Sequence, residues 1–343
     1  MTSGIAFALA SALLFGASAP LAKLLLGEMG PWLLAGLLYL GSGLGLAVLR
    51  PVLPREGGAF APSDWKWLAA AVAVGGVVGP VLMMAGLVHA PAASAALALN
   101  LEGVFTLGLA WVVFRENVDL RVGIGAGAIL AGAALLSWQD QAAGGGWGLV
   151  AIAGACLAWA VDNNLTRKLS AGDPVRIAMV KGLVAGSVNT VLASVAGEAW
   201  PALPTVGGAA LLGLLGYGLS LVLFVLALRH LGTARTGAYF STAPFAGALL
   251  AVPLLGESLT PLLLAAGLLM ALGLYLHLTE SHAHDHVHDT LEHEHPHRHD
   301  DHHQHDHDHA GVDPGQPHTH RHVHQRLVHR HPHYPDIHHR HVH

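Results

Sequence analysis

Residues 89–117 read HAPAASAALALNLEGVFTLGLAWVVFREN, and residues 230–258 read HLGTARTGAYFSTAPFAGALLAVPLLGES. Each stretch starts at a His, crosses a long apolar run, and ends at a turn that carries Glu116 or Glu257. A second run rich in Gly, Ala and Leu follows each, reaching Gly132 and Gly273. The start of the chain has its own echo, since Phe15-Gly16 with Lys23 corresponds to Trp159-Ala160 with Arg167. Self-similarity over such distances in an apolar chain points to two halves built on one plan and able to rock against each other.

The chain divides in composition near Leu278. Before it, Leu, Ala, Gly and Val dominate. From Glu280 onward His, Asp, Glu and Arg take over. A hydrophobic content of 53% with only 11% charged residues is too poor in charge for a soluble protein of 343 residues. The acidity of the chain, −5 in formal charge, comes from the tail, because Lys/Arg and Asp/Glu nearly balance in the body. The single cysteine, Cys156, lies in an apolar run, has no second Cys to pair with, and reads as a small hydrophobe.

Apolar runs of about 18–25 residues are long enough to cross a bilayer. Ten are expected, over residues 3–26, 31–49, 65–88, 91–114, 121–138, 147–168, 174–196, 205–229, 234–254 and 260–278. They must be helices, because lipid offers no partner to free backbone groups and the runs are too long for barrel strands. Arg50, Arg55, Lys66, Arg115, Arg121, Arg167, Lys168, Arg176, Arg229 and Arg235 fall in alternate gaps, whereas Gln139, Asp140, Glu198 and Glu257 fall in the others, with Lys23 near a helix end as the one exception. The positive-inside rule then puts both termini in the cytoplasm. Five spans per half is an odd number, so the second half is expected upside down relative to the first. The expected fold is an all-α integral membrane protein: ten transmembrane helices in two inverted five-helix repeats, 3–138 and 147–278, with a disordered His-rich tail over 280–343. Trp32, Trp65, Trp67, Trp138, Trp147 and Trp200 sit near span ends, as an aromatic belt does.

The runs Phe15 to Lys23, Leu101-Glu102-Gly103-Val104-Phe105, Phe114-Arg115-Glu116, Trp159 to Lys168, Ala243-Pro244-Phe245 and Leu255-Gly256-Glu257-Ser258 together resemble the EamA family of the drug/metabolite transporter superfamily. The resemblance covers residues 3–278. It departs from the family pattern at Gly103, where a Pro usually follows the Glu of span four, while the second repeat keeps Pro244. It implies a ten-helix transporter with a central cavity that moves small metabolites by alternating access in the inner (plasma) membrane.

A charge in the hydrocarbon region costs several kcal/mol unless it faces a cavity or a partner, so intramembrane polar residues are the first candidates for a substrate pathway. These are Asn100, Glu102, Asp162, Asn163, Lys181, Asn189, Tyr217 and Tyr239. Glu102 reads as a proton- or cation-coupling group or a partner for a substrate amine; the plainer reading is a hydrogen bond between helices. Lys181 reads as a partner for a substrate carboxylate or a counter-ion to Asp162; the plainer reading is snorkelling to the interface. Asp162-Asn163-Asn164 is too polar to face lipid throughout and suits a cavity or gate. Glu116 and Glu257, at matching turns, suit helix N-termini.

The tail holds 24 His between His282 and His343, many alternating with Asp. Its expected metal ligands are His282, His284, His286, His288, His293, His295, His297, His299, His302, His303, His305, His307 and His309. Imidazole with carboxylate suits Zn, Ni, Co or Cu, and no cofactor is required for transport itself. Two functions follow. In the first, a secondary transporter exports a small organic metabolite or drug-like solute, and the tail buffers or senses metal. In the second, the body exports a divalent metal that the tail collects. The isolated Glu102 and Asp162 favour the first. The expected partners are the bilayer, a small-molecule substrate, divalent metal ions and a second copy in a homodimer. Nothing in the sequence suggests nucleic acid binding or an enzyme's catalytic constellation.

Overall fold

Apolar runs bounded by Pro and Gly fold as helices here because every backbone group inside a run finds its partner four or five residues away. The structure, a computed structural model, describes residues 2–53, 62, 64–114, 120–142, 146–166, 173–231 and 233–279, and the backbone of 282–288, 291–297, 318–324 and 327–333. The first repeat contains α1 (Thr2–Leu25), α2 (Pro31–Leu49), α3 (Asp64–Ala71), α4 (Gly79–His89), α5 (Ala92–Ala98), α6 (Leu101–Phe114) and α7 (Leu120–Ala142). The second contains α8 (Trp147–Thr166), α9 (Pro174–Val195), α10 (Leu203–Gly213), α11 (Ser220–Leu231), α12 (Thr233–Phe240), α13 (Ala243–Leu255) and α14 (Pro261–Leu278). Among the described residues, nine helical stretches are long and apolar enough to span a membrane. Their outer faces carry large exposed apolar side chains such as Leu268 (72% exposed), Val191 (60%) and Leu44 (56%), which only lipid would cover at low cost.

The expected continuous spans 91–114 and 234–254 are corrected. Both are broken, between α5 and α6 and between α12 and α13. At the first break Asn100 Nδ2 donates to Leu97 O at 2.8 Å; at the second Thr242 Oγ1 donates to Tyr239 O at 2.6 Å. Each side chain thus adds a hydrogen bond to a carbonyl three residues back that also accepts the same residue's backbone N–H. Pro244, near the start of α13, has no N–H to continue a ladder from α12. The same correspondence recurs one span earlier. Val72–Val78 links α3 to α4 as a π-helix, and Leu214–Leu219 links α10 to α11 in the same way. The two halves therefore share their irregularities as well as their apolar pattern.

Counterpart helices of the two halves pack against each other and run antiparallel. Gly36 of α2 lies against Thr190 of α9, and Gly43 against Leu183. Gly125 of α7 lies against Gly273 of α14, and Gly132 against Ala266. A Cβ at Gly36 would come within 2.4 Å of Thr190 Oγ1, so these positions need glycine for the backbones to approach this closely. The main core gathers around Leu33, Leu34, Leu38, Met84, Leu87 and Ile152, all nearly fully buried. Gly256, at φ +66°, ends α13 in the left-handed conformation that a side chain would disfavour.

The tail, Glu280–His343, is a separate unit. His282–His288 (β1) pairs antiparallel with Leu327–His333 (β4), and Leu291–His297 (β2) with His318–His324 (β3). Their His-X-His-X alternation matches the two-residue period of a strand.

Candidate functional site

One short polar contact joins the halves, and an ion pair within the second half lies beside it. Asn163 Nδ2, on α8, donates to Glu102 Oε1, on α6, at 2.8 Å. One residue earlier on α8, Asp162 points to a different neighbour and accepts from Lys181 Nζ of α9 at 2.6 and 2.5 Å. The Asp162 side chain is 9% exposed and that of Lys181 16%. Two charges this far from water must be matched, and bidentate contact matches them. Thr166 Oγ1, one helical turn along α8, adds a hydrogen bond to Asp162 Oδ1 at 3.0 Å. Both members of the ion pair also act on Glu102 through space, Asp162 repelling and Lys181 attracting its charge.

The π-helix of the first half makes room for this arrangement. A Cβ at Gly75 would sit 2.1 Å from Asp162 Oδ2, so only glycine lets the carboxylate lie there. The wider helix also turns backbone carbonyls outward. Gly75 O accepts from Trp159 Nε1 at 3.0 Å and from Tyr39 Oη at 3.2 Å, and Gly76 O accepts from Asn189 Nδ2 at 3.1 Å. Tyr39 then carries the site into an aromatic wall. Its ring lies 5.8 Å from Tyr217, which lies 5.9 Å from Phe15, which lies 5.5 Å from Phe240. At the next residue of α6, a Cβ at Gly103 would meet nothing within 4 Å among the described residues.

The residues singled out in the sequence thus separate into groups. Glu102, Asp162, Asn163 and Lys181 come together, with Tyr217 joined to them through Tyr39. Asn100 is buried at the α5–α6 break and serves the backbone, and Asn189 is fully buried against the π-helix. Tyr239 is half-buried at the end of α12, where its carbonyl receives Thr242. Tyr39, Trp159 and Thr166 were missed as site residues. The Gly75-Gly76 pair inside a span was the available signal, since such a pair marks a close approach. Among the described residues no three His, Cys, Asp or Glu side chains gather as metal ligands do. His299, His302, His303, His305, His307 and His309 lie outside the described residues, and for His282, His284, His286, His288, His293, His295 and His297 only the backbone is described.

One end of the bundle is tied by side chains that cap helices. Glu257 accepts from the Ala92 and Ala93 amides at 2.6 and 2.8 Å, and Glu198 from those of Trp32 and Leu33 at 3.3 and 2.8 Å. Glu257 therefore caps α5, in the other half, rather than the helix that follows it; α14 is capped by Thr260 Oγ1 at 3.1 Å from Leu263 N. Glu116 lies outside the described residues. Lys23 Nζ donates to Leu87 O and Ala90 O at 2.5 Å each, at the C-terminal end of α4, where a cation is favoured. At the opposite end Arg50 pairs with Asp173, which caps α9, and His277 Nε2 lies 2.9 Å from Val122 O.

Residues 2–138 and again 146–279 match the EamA-like transporter family. The chain belongs to that family. It is a multi-pass membrane transporter, and its partners are the bilayer and a small-molecule substrate. A relative from Methanothermobacter thermautotrophicus, described as an uncharacterized transporter, is 27% identical over 287 residues, covering 76% of this chain and 82% of its own. A solved crystal structure shares the fold with a TM-score of 0.58 at 21% identity, covering 80% of this chain and 97% of the other.

Proposed function

We propose that this EamA-family protein is a secondary transporter that exports a small organic solute across the inner membrane by alternating access. The observation that carries the reading is the junction between the halves: Glu102 of the first meets Asn163 of the second, beside the Asp162–Lys181 pair. In one state Glu102 is held by Asn163. When the halves rock apart, the carboxylate loses that amide and becomes free to take a proton or a substrate amine. Lys181 can similarly exchange Asp162 for a substrate carboxylate, and the Tyr39–Tyr217–Phe15 wall offers apolar contact to the rest of the solute. Antiparallel counterpart helices and the one-sided distribution of Lys and Arg support an inverted pair of five-span halves with both termini in the cytoplasm.

The tail is proposed to bind Zn, Ni, Co or Cu through its imidazoles. Its 24 His also favour a second reading, in which the body exports a divalent metal. A solute screen in sealed vesicles, with and without a pH gradient, tests the first reading. It predicts transport of an organic solute that responds to the gradient and persists in a tail-deleted chain. Metal-dependent accumulation with no organic solute moved would favour the second.

A further inference from the structure

Outside the central site, an apolar groove of about 420 Å³ runs between α3 with its π-helix and α9. Its α3 wall is Trp65, Leu68, Val72 and Val77, and its α9 wall is Val180, Val184 and Val188. The α9 residues are spaced by four, so they form one stripe on one helix face. Arg176 stands one further turn back on the same stripe and is exposed. Leu68 packs with Ile177, and a Cβ at Gly76 would touch Ala185, so α3 and α9 run parallel and their starts lie at the same end. Lys66 is exposed at that end, with its Nζ 5.2 Å from the Trp67 ring centroid, and Asp64 and Asp173 are the acidic groups nearby in sequence. Asp173 is buried and bonded to Arg50.

From Trp65 to Val77 the groove runs about 18 Å at helical rise. That is close to the depth of one leaflet, about half of a 30 Å hydrocarbon core. A slot lined by apolar side chains, with Trp65 at the end where Lys66 and Arg176 are exposed, matches one amphipathic molecule from end to end. We infer that this groove holds an acyl chain of an anionic phospholipid, with its phosphate at Arg176 and Lys66. The inference rests on α3 and α9 spanning the membrane and is independent of which solute is carried. The site also touches the central one. Val72 and Val77 bracket Gly75 and Gly76, which hold Tyr39, Trp159 and Asn189, and Val180 precedes Lys181. A bound chain therefore braces the π-helix against which Asp162 lies.

The full chain, reconstituted in phosphatidylcholine vesicles, is titrated with phosphatidylglycerol or phosphatidylcholine carrying brominated chains, and tryptophan quenching is read. The groove signal is the part of the quenching that Trp65→Phe removes. Phosphatidylglycerol is expected to give that signal at lower lipid fraction than phosphatidylcholine. Arg176→Gln and Lys66→Gln should each weaken its apparent affinity about fivefold, the effect of one basic residue near an anionic surface. Val184→Phe should fill the slot and weaken both lipids, and Ala69→Leu, at another lining residue of the α3 wall, provides a second filling variant if the first fails to fold. Equal quenching by the two lipids, or no change on filling the slot, would mean ordinary surrounding lipid and would overturn the inference.

Discussion

Glu102 and Glu257 are both carboxylates that bridge the two halves, yet they are held in opposite ways. Glu257 accepts two backbone amides at 2.6 and 2.8 Å, from a helix end that cannot turn away. Glu102 accepts one side-chain amide, that of Asn163, at 2.8 Å. Backbone donors fix a carboxylate, because losing them strands buried N–H groups. A single rotatable Asn can let go. The difference separates a carboxylate that builds the bundle from one that can exchange partners during a transport cycle.

This contrast can be broken or sharpened by substitution. Glu102→Gln should abolish solute transport while leaving membrane insertion and thermal stability near wild type, since the amide keeps the shape and can still bond Asn163. Asp162→Asn should come next. It strands Lys181 away from water, a cost of about 3–5 kcal/mol, and should lower the melting temperature markedly. The double variant Asp162→Asn with Lys181→Met should recover much of that stability and remain inactive. Gly75→Ala should cost about 1–3 kcal/mol by forcing a methyl group into the Asp162 carboxylate, and should reduce transport in proportion to the displacement. Glu257→Gln should have the smallest effect, about 1 kcal/mol from a weakened helix cap, with transport retained. A melting curve in detergent alongside vesicle transport separates these outcomes.

Much of the architecture was legible because it follows from strong, local signals. Apolar length gave the spans, and the matched stretches around Glu116 and Glu257 gave the two halves. The breaks at Asn100 and Thr242 were less visible, since both sit in apolar runs whose average hydropathy hides one satisfied carbonyl. Asp162 with Lys181 was readable as a pair because two opposite intramembrane charges need each other. Tyr39 and Trp159 were not, because their role depends on carbonyls that only the π-helix turns outward. The partner of Glu257 was illegible for another reason. The sequence suits it to a helix N-terminus, but which helix lies nearby is decided by packing between halves.

The most direct test is transport by Glu102→Gln and Glu257→Gln side by side in sealed vesicles, at equal inserted protein, with the solute identified by the wild-type screen. The account predicts no transport by Glu102→Gln and near wild-type transport by Glu257→Gln, with the melting temperature lowered only in the second. Full transport by Glu102→Gln would contradict it.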